Sequence, residues 1–150
     1  MKRSQRLQLI VDLKVEQEKK HLETLGQQQN IRQQKVTQLN NLKEYRKDYL
    51  QKNEHLIKGG VSIMLLMEFR AFMEKMDTAI SGEEASLKAL DSELERLRNT
   101  WEKAHMYSEG IQKVQGKARN EEQTQADKIE QMEMDDRAAR KRSGSGIDGA

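Results

Sequence analysis

Few side chains in this chain are spaced for catalysis. The histidines His21, His55 and His105 are far apart, and none has a second ligand at metal-binding spacing, so they read as solvated or seam-flanking residues. The adjacent pairs Glu83-Glu84 and Glu121-Glu122 point to different faces of a helix, which prevents either pair from working as acid and base on one substrate. Cysteine is absent, which excludes a disulfide, a thiolate metal site and a thiol nucleophile. Gly59-Gly60 lacks the Gly-Lys-Ser/Thr sequel of a phosphate-binding loop. What remains is the chemistry of contact. Gln38, Leu42, Tyr45 and Tyr49 step 4, 3 and 4 along the chain, and Phe72, Met76 and Ala79 step 4 and 3. On helices each set forms one stripe. Tyrosine joins a large apolar body to a polar tip, and methionine packs adaptably, so such stripes suit the capture of another protein. No enzyme activity, cofactor or metal is expected.

The elements that hold these stripes must be long helices. Of the 150 residues, 35% are hydrophobic, 35% are charged and none is proline. An interior proline costs a helix roughly 3 kcal/mol, so its absence suits uninterrupted helices. A mean hydropathy of -0.99 is too polar for a compact globule and fits a thin two-helix structure. The net charge of +2 is too even to make nucleic acid the main partner. Val61 to Met67 is the longest apolar cluster, and a bilayer span needs about 20 such residues. Met1 to Arg6 is basic but leads into a patterned helix and not into a signal core. A soluble cytoplasmic protein without membrane insertion is expected.

The second half has the clearer pattern. Leu66, Phe69, Met73, Met76, Ile80, Leu87, Leu90, Leu94, Leu97, Trp101 and Ala104 recur at steps of 3 and 4, with Glu83 as the one interruption. A period of 3.5 buries such a seam against another helix and builds no pocket. In the first half Leu7, Val11, Val15, Leu22, Leu25, Val36, Leu39, Leu42, Tyr45, Tyr49, Leu50 and Leu56 supply the partner face. Gly26 to Asn30 is a weak middle without an apolar residue. Gly59-Gly60 closes the first helix, Ser62 caps the second, and so short a connection makes the helices antiparallel.

The expected fold is all-α: an antiparallel coiled-coil hairpin over residues 1–142, with helix 1 at about 4–58, a turn at 59–62 and helix 2 at about 63–140. Folding at Gly60 sets position 7 near 113, so helix 2 should run unpartnered from about 115. Gln115, Glu122, Gln125 and Asp136 weaken the seam there. Acidic residues from Glu121 to Asp136 precede Arg137, Arg140, Lys141 and Arg142, an order that complements the helix dipole. Residues 143–150 read as a flexible tail. Near the hairpin tip there are more apolar side chains than one seam covers. Either the second stripes are exposed as a partner patch, or a wider core takes them in.

The order of Leu42-Lys43-Glu44-Tyr45-Arg46-Lys47-Asp48-Tyr49, the glycine break, Phe69-Arg70-Ala71-Phe72, Ala79-Ile80, Arg98-Asn99-Thr100-Trp101 and Met134-Asp135-Asp136-Arg137-Ala138-Ala139-Arg140 resembles the FliJ family, over nearly the whole chain. That family belongs to the bacterial flagellar type III export apparatus and is similar in form to the γ-subunit stalk of rotary ATPases. The resemblance implies a non-enzymatic stalk, monomeric when free, associated from the cytoplasm with the membrane export apparatus. It implies as partners the export ATPase FliI, its regulator FliH, the export gate FlhA and export chaperones. The family's gate-contact surface falls on Gln38, Leu42, Tyr45, Tyr49, Phe72, Met76 and Ala79, and Glu83 continues that stripe with an acidic residue. Its ATPase-facing end falls on the region of Met132, Asp136, Arg137 and Arg140. An injectisome stalk homologue and a generic coiled-coil scaffold are the other readings of the same pattern.

Overall fold

A computed structural model describes residues 1–60 and 62–148, with side chains described up to Gly144. The described residues form an all-α antiparallel hairpin of three helices: α1 (Arg3–Lys52), α2 (Glu54–Lys58) and α3 (Ile63–Asp148). No helix among them is long and apolar enough to cross a membrane. The chain divides into two compact units, one of Lys19–Lys103 and one of Met1–Glu18 with Ala104–Ala150.

The expected single first helix is broken. Asn53 interrupts it between α1 and α2, with φ -112° and ψ 17°. Its side-chain Nδ2 donates to the Tyr49 carbonyl at 2.8 Å, and its own N–H donates to the same oxygen at 3.2 Å. An asparagine that bonds the preceding turn competes with the helical ladder, which accounts for a break at this residue. Gly59 and Gly60 both have φ +97°, a region that a side chain makes costly, so glycine is required at both. Ser62 Oγ then accepts the N–H of Leu65 at 3.3 Å, the N-cap bond of α3. Val61, within the expected turn, lies outside the described residues.

In the unit Lys19–Lys103 the α3 seam is buried or half-buried at Leu66, Phe69, Met73, Met76, Ile80, Glu83, Leu87, Leu90, Leu94, Leu97 and Trp101. Two apolar clusters form on it. Leu25 packs with Leu94 and Leu97, and Leu56 packs with Phe69, Met73 and Met76. Between them the rim carries polar cross-links. Arg32 bonds Asp91, Lys35 bonds Ser86, Lys43 pairs with Glu84 at 3.2 Å, and Arg46 bonds Asp77. The exposed pairs contribute little stability.

The other unit is held differently. Among the described residues its buried positions are Ser4, Val11, Ser108, Gln115 and Ala118, three of the five polar. The polar groups are partnered. Gln115 Nε2 donates to the Ser4 carbonyl at 3.3 Å and to Gln8 Oε1, and Arg119 donates to the same Gln8 oxygen at 2.9 Å. Ser4 gives its hydroxyl to Glu122 at 2.6 Å and its N–H to the second carboxylate oxygen at 3.0 Å. These bonds correct the expected pairing. Helix α1 covers α3 as far as Glu122, not 113–115, because amide and carboxylate groups continue the seam where apolar side chains run out. Beyond Glu122, every α3 residue with a described side chain is exposed. The helix itself continues to Asp148, past the expected boundary at 140, and Gly149 and Ala150 lie outside the described residues.

Candidate functional site

The two apolar stripes near the turn are separated by depth. On α3, Phe69, Met73 and Met76 face α1 and are buried, Met76 at 6% exposure, so Met76 supports the surface from below. Phe72 is half-buried on their flank. On α1, Tyr49 lies across this flank. Its ring sits 4.6 Å from Phe72 and 5.6 Å from Phe69, and Tyr45 stacks behind it at 6.5 Å. The resulting row of rings grades from the buried Phe69 to Tyr45, which is 55% exposed. Aromatic pairs at these spacings gain from offset and tilted contact, so the rings support one another in the free chain. A wider core thus takes in one part of the surplus stripe and leaves the other at the surface.

Leu42 and Gln38 continue the α1 stripe from Tyr45. With Asn41 and with Glu83 of α3 they line an open groove of about 520 Å³. Glu83 occupies a seam position, and its Oε2 is buried with no hydrogen-bond partner. Ala79 is exposed on α3, outside the set that lines the groove. The structure therefore gathers Gln38, Leu42, Tyr45, Tyr49 and Phe72 into one surface with Met76 beneath it. The contribution of Asn41 escapes the stripe reading, which takes Leu42 after Gln38; Asn41, three residues after Gln38 and four before Tyr45, shares their face and lines the same groove.

A second exposed apolar surface follows the turn. Ile63, Met64 and Met67, with Glu68 and Ala71, bound an almost wholly apolar hollow of about 590 Å³. The signal for it was the run ending at Met67, which is apolar on every face of the helix and so exceeds what one seam covers.

In the other unit, Met132, Asp136, Arg137 and Arg140 all lie on the uncovered part of α3. Met132 and Asp136 share a face, and Ile129 joins them as a half-exposed apolar residue. His105 stands at the covered part of this unit. Its Nδ1 meets Glu18 at 2.5 Å and its Nε2 meets Glu109 at 3.2 Å. The hydrogen bond to Glu18 first, and the two carboxylate charges with it, raise the His105 pKa above its ordinary value. Hydrogen bonds from the Ser4 hydroxyl and N–H hold the Glu122 carboxyl below its ordinary value. Among the described residues no group of three His, Cys, Asp or Glu side chains is placed to hold a metal ion.

Residues 2–146 match the family model described as Flagellar FliJ protein. No curated protein and no solved structure matches the chain.

Proposed function

The chain belongs to the flagellar FliJ protein family, and from that premise we propose that it is a non-enzymatic stalk and coupling component of the flagellar type III protein export apparatus. The single observation that carries this reading is the family match across residues 2–146. The description of that family as flagellar favours this reading over the injectisome one.

In this reading the chain uses two surfaces, one in each unit. The row of Tyr45, Tyr49 and Phe72 with Leu42 and Gln38 docks on the export gate FlhA. Its support is a preformed, partly exposed aromatic surface backed by a packed cluster. The α3 stretch beyond Glu122 enters the ring of the export ATPase FliI, whose regulator is FliH. Its support is an unbroken helix whose described side chains are all exposed, with Met132, Asp136, Arg137 and Arg140 on its surface. Empty export chaperones are handed on through the same assembly, and the protein works in the cytoplasm against the membrane-bound apparatus.

The test is ATP turnover by FliI with and without the full chain, together with co-purification. Stimulated turnover and a stable complex are expected. A FliI ring that neither binds the chain nor changes its turnover removes the proposal.

A further inference from the structure

The carboxylate of Glu83 is the one feature of the groove that folding does not explain. It stands at a seam position flanked by Ile80 and Leu87, where an apolar side chain would pack. Its Oε2 is buried and accepts no hydrogen bond. A buried acceptor left without a donor is a standing cost to the folded chain. Of the cations on the facing stretch of α1, Lys43 pairs with Glu84, Arg46 with Asp77, and Lys35 donates to the Ser86 hydroxyl, none to Glu83. The oxygen belongs to a side chain that lines an open groove, beside Leu42 and Tyr45.

We infer that the occupant of this groove is a protein segment that presents a lysine or arginine next to an apolar side chain, and that Glu83 is the anion that receives the basic group. The inference rests on the reading of the groove as part of the gate-facing surface. Leu42 and the Tyr45 ring take the apolar neighbour and the methylene stem of the basic residue, and the ring face also favours a cation above it. Gln38 and Asn41 offer amide groups to the segment's backbone at the rim. The charge pair forms where water is partly excluded, so it discriminates among partners more sharply than a rim pair. Glu83 is thus a specificity residue, and the stability it costs the free protein is recovered on docking.

The soluble part of FlhA is the probe, titrated against the full chain and against Tyr45→Ala, Glu83→Asp, Glu83→Gln and Glu83→Leu. Glu83→Leu is expected to raise Tm while weakening binding about tenfold or more, and Glu83→Gln to weaken it in the same direction. Glu83→Asp, which keeps the charge, retains binding to within a few fold. Weakened binding by Tyr45→Ala with unchanged binding by Glu83→Leu and Glu83→Gln overturns the inference and leaves the gate reading standing. Failure of the unaltered chain to bind, or wild-type binding by Tyr45→Ala, removes the gate reading and this inference with it. Self-association of the chain, seen by light scattering and lost in Glu83→Leu, would make a second copy the occupant and overturn the assignment to a partner.

Discussion

Tyr45 and Tyr49 sit one helical turn apart, yet they do different work. Tyr49 touches both Phe69 and Phe72, whereas Tyr45 touches Tyr49 and is mostly exposed. Tyr49→Ala is expected to destabilise the protein by about 1–3 kcal/mol, since a half-buried aromatic loses both area and ring contact. Tyr45→Ala should stay within about 0.5 kcal/mol of the parent, as for other surface changes. Urea unfolding of the two variants separates them, and equal losses would show that Tyr45 is core.

His105 gives a pH dependence whose sign is set by its neighbours. Its pKa is raised in the folded chain, chiefly by the hydrogen bond to Glu18. The stabilisation is therefore complete below the ordinary histidine value of about 6.5 and is lost as pH rises through the higher folded value. Glu122 acts in the opposite sense. Its lowered pKa stabilises above the ordinary carboxylate range, and that contribution is lost as pH falls through the folded value. Thermal unfolding should show Tm falling as pH rises above the ordinary histidine value. Glu18→Gln should flatten that slope while leaving the acid limb in place; an unchanged slope would contradict the assignment to His105. A sequence pattern does not show this site, because Glu18 and His105 meet only once the two helices are in register.

At the scale of elements, the helical seam was legible because burial follows the 3-4 rhythm of residues such as Phe69, Met73 and Leu94. The position of Ser62 as a cap was legible for the same local reason, as hydroxyl and amide lie within one turn. The break at Asn53 was not, since asparagine is tolerated in helices and reveals its competing bond only in place. The extent of the pairing was not legible either. Gln115 and Glu122 read as weak seam residues by hydropathy, but the bonds of Gln115 to Ser4 and Gln8 and of Glu122 to Ser4 make them a continuation of it. Glycines test the helices directly. A Cβ added at Gly26 meets open space, so Gly26→Ala should raise stability by about 1 kcal/mol. At Gly59, φ +97° makes any side chain strained, and Gly59→Ala should lower stability by about 1 kcal/mol or more. Chemical unfolding with circular dichroism checks both, and a gain at Gly59 would mean that the turn relaxes to another conformation.

At the scale of the whole molecule, composition and periodicity were enough for the all-α hairpin, and the ordered motifs were enough for the family. The surfaces depend on what each helix face packs against. Hydropathy treats Met76 and Met132 alike, yet Met76 is buried under the aromatic row and Met132 is 67% exposed on the uncovered helix. The difference lies in the partner helix, which is present opposite one and absent opposite the other. Removal of residues 123–150 should leave Tm nearly unchanged, since no described side chain in that stretch is covered. The most direct measurement of the two-surface account is a paired binding assay, with FliI and with the soluble part of FlhA, on the full chain, the chain ended at Glu122 and Tyr45→Ala. The shortened chain should lose FliI and keep FlhA, and Tyr45→Ala should lose FlhA and keep FliI. Loss of both partners by either variant, or of neither by both, would contradict it.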